Sequence, residues 1–133
     1  MIEIERKFLV NSNEYKNKAH KTIKIIQGYL SKDPKRTVRI RISDDKGYIT
    51  IKGVSSEDGL SRYEWENEIL FSEAKELISI CLPTIIEKSR YEIYYKGVLF
   101  EVDEFQGVHQ GLIVACQKFN SSNQLLYFEK NFT

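Results

Sequence analysis

The chain has little of what usually marks a specialised class. Cys81 and Cys116 are the only two cysteines in 133 residues. They are too few for a disulfide framework and lie in no metal-ligand spacing. Two prolines, frequent aromatics and many β-branched residues lean the composition toward sheet. The sequence shows no run of about 18 apolar residues and no charged-then-apolar leader, so the expectation is a soluble protein in a reducing, cytoplasmic setting, with no membrane partner. Lys and Arg number 20 against 19 Asp and Glu, a formal charge of +1. No global field therefore draws nucleic acid, and no stacking motif argues for single strands. Any phosphate chemistry has to come from local clustering of cations. Internal repeats and low-complexity segments are absent, and the length suits one domain over residues 1–133.

What is present is alternation. In residues 1–10, Glu3, Glu5 and Lys7 fall on one face of an extended strand, and Ile2, Ile4, Phe8 and Val10 on the other. The pattern returns in residues 36–43, where Thr37, Arg39, Arg41 and Ser43 oppose Val38, Ile40 and Ile42. Residues 48–52 set Thr50 and Lys52 against Ile49 and Ile51. Residues 62–69 oppose Arg62, Glu64, Glu66 and Glu68 to Tyr63, Trp65 and Ile69. Residues 85–93 carry Lys88, Arg90 and Glu92 on one parity, and residues 98–105 place Glu101 and Asp103 opposite Phe100 and Val102. Further strands are expected at 22–30 and 112–119.

Turns and helices follow from the residues between. Asp44-Asp45-Lys46-Gly47 reads as a hairpin turn with its glycine available for positive φ, and Lys96-Gly97 as another. Asn11-Ser12-Asn13 offers a cap for a short helix over 14–19. Ser72 is expected to cap a longer helix through about Leu82, with Ala74, Leu77, Ile78 and Cys81 on its apolar stripe and Pro83 ending it. The tail 125–128 fits a strand extension, a short helix or a packed end.

About eight strands joined by short turns argue for an antiparallel meander, and closure into a barrel would remove its edges. Two readings of the charged faces stay open. In one they meet solvent as ordinary ion pairs. In the other the barrel is inverted, with an ionic interior and apolar patches outside, covered in part by one or two short helices and in part by a second copy of the chain in a homodimer. Arginine pairs such as Arg39 and Arg41, beside Lys52, suit a phosphate clamp because guanidinium forks match phosphate oxygens two at a time.

The ordered set Glu3-Ile4-Glu5-Arg6-Lys7, Gly28-Tyr29-Leu30, residues 36–41, Thr50-Ile51-Lys52-Gly53, residues 62–66, residues 87–91 and residues 101–105 resembles the CYTH family, the triphosphate tunnel metalloenzymes. That family includes class IV adenylyl cyclases, thiamine triphosphatases and inorganic triphosphatases. The resemblance implies a mainly β (α+β) fold, an eight-stranded antiparallel closed tunnel in which cations hold a triphosphate and acids hold Mg²⁺ or Mn²⁺. Carried over by position, Lys7, Arg39, Arg41, Lys52, Arg62, Lys88 and Arg90 would bind phosphate. Glu3, Glu5, Glu101 and Asp103 would hold metal, and Glu5, Lys7, Glu64 and Glu66 would form the catalytic set, with Glu64, Glu66 and Glu101 also orienting cations. His20 and His109 match no motif position and read as surface residues.

The chain departs from the pattern late. The family places two glutamates where this sequence has Cys116 and Lys118, a swap that raises local charge by about three units and opposes metal binding there. The segment 117–133 is short and atypical for the family. The expected activity is metal-dependent hydrolysis of a linear triphosphate, inorganic tripolyphosphate first. A non-catalytic phosphate or polyphosphate binder is the alternative that Cys116 and Lys118 favour, and a cyclase or thiamine triphosphatase the further one.

Overall fold

A computed structural model describes residues 2–9 and 13–119, with side chains for 13–117 only. The order is β1 (Ile2–Leu9), α1 (Tyr15–Lys18), β2 (Lys21–Ser31), β3 (Arg36–Ser43), β4 (Lys46–Ser55), β5 (Ser61–Ile69), α2 (Phe71–Ser79), β6 (Leu82–Tyr95), β7 (Val98–Phe105), a 3₁₀ turn at Gly107–His109, and β8 (Ile113–Phe119). The fold is mainly antiparallel β with few helices, as expected. Strands β2 to β8 form one curled sheet in the order β5-β4-β3-β2-β6-β7-β8. The backbone of β1 pairs with β5 on one side and with β8 on the other. The expected tail element at 125–128 lies outside the described residues.

On β2, β3 and β4 the parity that carries Ile26, Ile40, Ile42 and Ile49 faces outward, and helix α2 covers it. Ile40, Ile42 and Ala74 are buried together, with Ile26, Leu30, Ile49, Ile69, Leu77, Ile78 and Cys81 packed around them. Ile40 and Ala74 have no exposed surface at all. Burying a side chain the size of Ile40 contributes about 1.5–3 kcal/mol, so this layer between α2 and the outer side of β2, β3 and β4 is the larger apolar cluster among the described residues. A second, smaller cluster joins Tyr15 of α1 to Val102 and Ala115. The Tyr15 hydroxyl donates to Glu104 Oε2 at 2.8 Å, and its ring meets Tyr91 edge-on at 5.2 Å. Burial, followed by Glu104, pushes that hydroxyl's pKa up.

Local details differ from the sequence expectations in four places, the first being α1, whose N-cap is Glu14 and not a residue of 11–13. The N-cap of α2 is Leu70, whose backbone N–H donates to Glu73 Oε1 at 3.2 Å, so Ser72 lies inside the helix and is not its cap. A carboxylate in the first turn does the capping and also faces the positive end of the helix dipole. Helix α2 ends at Ser79, before Cys81 and Pro83, and Pro83 already belongs to β6. In the β3–β4 hairpin the positive φ falls on Asp44 (55°), while Gly47 sits within β4. Asp44 tolerates that conformation because it is tied to β2 through both its backbone N–H and its carboxylate. Gly47 is needed for another reason: a Cβ there would stand 2.5 Å from the Cβ of Ala74. The helix can lie on the sheet only where this strand has no side chain. Lys96 (φ 51°) and Gly97 (φ 78°) form the expected turn between β6 and β7.

Gly47→Ala is therefore expected to lower the unfolding free energy by about 1–3 kcal/mol in urea titrations, through overpacking against α2.

Candidate active site

Cross-strand register assembles the polar face. Tyr29, Arg39, Thr50 and Glu66 stand side by side across β2, β3, β4 and β5. Thr37, Lys52 and Glu64 form the next row on one side, and Gln27, Arg41 and Tyr48 the next on the other. Farther round the sheet Arg90 is opposite Asp103, and Glu101 is opposite Cys116. Residues directly opposite in antiparallel strands share a face, so the ionic parities read from separate strands converge. They line a cavity of about 480 Å³.

Every charged candidate whose side chain is described lies on that cavity: Arg39, Arg41, Lys52, Arg62, Glu64, Glu66, Lys88, Arg90, Glu101 and Asp103. Glu3, Glu5 and Lys7 belong to β1, where the description stops at the backbone. There Glu3 is the register partner of Arg62, Glu5 of Lys118 and Lys7 of Cys116. The reading of the charged faces as solvent-facing ion pairs is corrected by this arrangement, because the curled sheet turns them toward each other. His20 is exposed and stacks on Tyr94, and His109 is exposed as well, both away from the cavity.

The cations fall into two environments. Arg90 donates from Nε and Nη2 to the two oxygens of Asp103, at 2.8 and 2.9 Å, and from Nη1 to Glu101 Oε2 at 3.4 Å. Lys88 Nζ reaches Asp103 Oδ2 at 2.7 Å and lies 5.3 Å over the ring of Phe105. On the other side the cations rest mostly on neutral groups. Arg41 donates from Nε and Nη2 to Gln27 Oε1 at 2.9 and 2.7 Å. Arg39 Nη2 donates to Thr50 Oγ1 at 3.2 Å, and that hydroxyl donates to Glu66 Oε2 at 2.8 Å, itself 3.8 Å from Arg39. The buried Arg39 Nε has no hydrogen-bond partner among the described residues. Arg62 spans the backbone carbonyls of Gly53, at 3.0 and 2.7 Å, and Pro34, at 3.4 Å.

These environments shift protonation in opposite directions. Burial, then the nearby charges of Arg39 and Arg90, pulls Arg41 down to about 9, still charged at neutral pH. Burial likewise pulls Lys88 down to about 8, with Asp103 offsetting part of the effect. Burial would lower Arg90, but its hydrogen bonds to Asp103 prevail and push it up. Burial would raise Asp103, yet Arg90 and Lys88 hold it at about 2. A cavity with this lining repels itself when empty and attracts a polyanion.

Among the described residues no three His, Cys, Asp or Glu side chains converge as a metal centre. Both Asp103 oxygens are taken by Arg90 and Lys88. In this structure Asp103 holds Arg90 and Lys88. Glu64 and Glu66 on β5 put oxygens of the kind a hard divalent ion takes on the cavity wall, and the β1 backbone at Glu3 is the register partner of Arg62, two residues before Glu64. These two described carboxylates fit such an ion by their donor chemistry. Reasoning from sequence passed over Gln27, Tyr29 and Tyr48 as site residues. Gln27 and Tyr29 share their parity on β2 with Ile23 and Ile25, so that strand shows no ionic alternation to betray them. Cys116 does line the cavity, where the family carries a carboxylate.

The family model described as CYTH domain matches residues 1–119. The chain belongs to the CYTH family. Among its CYTH relatives, an inorganic triphosphatase from Acetivibrio thermocellus is 45% identical over 114 residues, which is 85% of this chain and 71% of that protein. An inorganic triphosphatase from Nitrosomonas europaea is 32% identical over 126 residues, 92% of this chain and 80% of that one. The crystal structure of the inorganic triphosphatase NE1496 superposes with a TM-score of 0.62 at 28% identity, covering 98% of this chain and 82% of that one. No helix among the described residues is long and apolar enough to cross a membrane.

Asp103→Asn would leave Lys88 and Arg90 without their shared carboxylate and should cost about 3 kcal/mol in denaturant unfolding at pH 7. The pH dependence has a definite sign. The folded carboxyl titrates at about 2, below its ordinary 3.8, so its contribution is complete above about pH 4 and fades as pH falls through about 2. The difference in stability between wild type and Asp103→Asn should shrink over that acid window.

Proposed function

We propose that this CYTH chain, acting as one domain in the cytoplasm, hydrolyses a linear triphosphate, with inorganic tripolyphosphate as preferred substrate. The observation that carries this reading is the cation-rich cavity formed by Arg39, Arg41, Lys52, Arg62, Lys88 and Arg90. It is supported by relatives named inorganic triphosphatase. Ten of the described lining residues are charged, which favours the inorganic chain over ATP or thiamine triphosphate.

In the proposed reaction the strands close through β1 into a tunnel, and the phosphate chain lies along it. Arg39 and Arg41 fork onto phosphoryl oxygens, Lys52 and Lys7 neutralise the charge beside them, and Arg62 stands near the chain. Water attacks the terminal phosphorus, the bond to the bridging oxygen breaks, and the products are pyrophosphate and phosphate. A carboxylate of Glu64 or Glu66 orients the water and takes its proton. Glu3 and Glu5, together with Glu64 and Glu66, would hold Mg²⁺ or Mn²⁺, which when bound supplies charge neutralisation and polarisation of the phosphoryl group. Lys88 and Arg90, paired to Asp103 and Glu101, form the less available part of the cationic lining.

A second reading is favoured by one observation: Cys116 stands on the cavity wall where the family has a carboxylate. With fewer acids for metal, the same cavity makes a polyphosphate-binding protein without turnover.

Incubation with tripolyphosphate, ATP and thiamine triphosphate, each with Mg²⁺ or Mn²⁺, separates the readings by phosphate and cyclic AMP release. Phosphate from tripolyphosphate is expected, abolished in Glu5→Gln, with KM raised about tenfold or more in Arg39→Ala. Tight tripolyphosphate binding with no turnover under either metal would sink the hydrolase and leave the binder. Cyclic AMP as the main product would point to the cyclase relatives.

A further inference from the structure

The arginines of the cavity are held in two chemically different ways, and the difference is set by one uncharged side chain. Arg90 is clamped by two carboxylates, so much of its charge is compensated inside the protein. Arg41, buried beside like charges, has Gln27 as its hydrogen-bond partner among the described residues and forms no ion pair with them. Gln27 is itself 4% exposed, lies on the cavity wall and is the register partner of Arg41. Its amide oxygen takes the Nε and Nη2 hydrogens together. That fixes the plane of the guanidinium and leaves its Nη1 edge without a protein partner among the described residues. Glutamate would make the same two contacts more strongly, because charge-assisted hydrogen bonds are about twice as strong as neutral ones. It would also cancel the charge.

We infer that Gln27 is a positioning residue for the substrate site: it aims Arg41 at a phosphoryl group of a bound polyphosphate without tying up the charge of Arg41 in an ion pair. The inference rests on the phosphate-binding part of the proposed function and not on turnover. The cost falls on the empty protein, where burial and the charges of Arg39 and Arg90 act on Arg41 and the more distant Asp103 and Glu101 offset them only in part, and it is relieved when the anion enters.

Isothermal titration of tripolyphosphate without metal tests the inference directly, using the full chain as wild type, Gln27→Glu, Arg41→Ala and the double variant, with thermal melts alongside. Gln27→Glu is expected to melt at or above the wild-type temperature and to bind tripolyphosphate about tenfold or more weakly. In the Arg41→Ala background the same Gln27→Glu change should have little further effect, since its partner is gone. Gln27→Leu, which leaves Arg41 charged but unaimed, should also bind more weakly. If metal-dependent turnover is present, the Gln27→Glu loss should appear in KM more than in kcat. Wild-type affinity in Gln27→Glu overturns the inference. So does an equal loss with and without Arg41, which would mark a general charge effect, and so does a Gln27→Glu variant that weakens binding only by failing to fold. Wild-type binding without hydrolysis would remove the proposed reaction and leave this inference testable by the same titrations. A wild type that binds no tripolyphosphate removes both.

Discussion

Cations crowded into a cavity of about 480 Å³ repel one another, and the way this repulsion is contained organises the rest of the molecule. On one side Asp103 receives Arg90 with both oxygens and Lys88 with one of them, so three buried charges form a single hydrogen-bonded unit across β6 and β7. On the other side Gln27 and Thr50 accept hydrogen bonds from Arg41 and Arg39 without bringing a full charge of their own. The first arrangement stabilises the wall, and the second keeps positive potential available. Both follow from register, because each of these partners is directly across from its arginine on a neighbouring strand.

An ionic interior obliges the fold to find its hydrophobic stabilisation elsewhere. The outward parity of β2, β3 and β4 supplies it, and α2 closes that layer over Ile40 and Ile42. The close fit depends on small residues meeting: Ala74 of α2 against Gly47 of β4, and Cys81 against Gly28 of β2. Stability and site chemistry thus occupy opposite faces of one sheet. Outer-face residues can be selected for packing while the inner face is selected for charge, since alternate residues of a strand point to opposite sides. Outside α2's cover, Tyr63 and Trp65 remain about half exposed on β5.

Most of the strands were legible because alternation is a local signal. Residues 36–43 and 98–105 coincide with β3 and β7, and the ionic parity of each is the parity that lines the cavity. Less legible was anything set by contact between distant segments. Gly47 looks like a turn glycine from its neighbours, and only the approach of Ala74 shows what it is for. Gln27 follows two isoleucines on the same face of β2, so its place beside Arg41 could not be read from its own strand. The cap of α2 was misplaced because a backbone-to-Glu73 bond can begin a helix without Ser or Asp at the N-cap.

By itself the sequence determined the strand pattern, the charged and apolar faces, and the family to which their order belongs, because those depend on residue type and spacing along the chain. The tertiary structure decided which face is inside, and which acid or amide meets which arginine. A period of two is the same whether its polar side looks at water or at another strand. Only curling the sheet turns separate ionic stripes into one cavity, and only register makes Asp103 the partner of Arg90 and Gln27 the partner of Arg41.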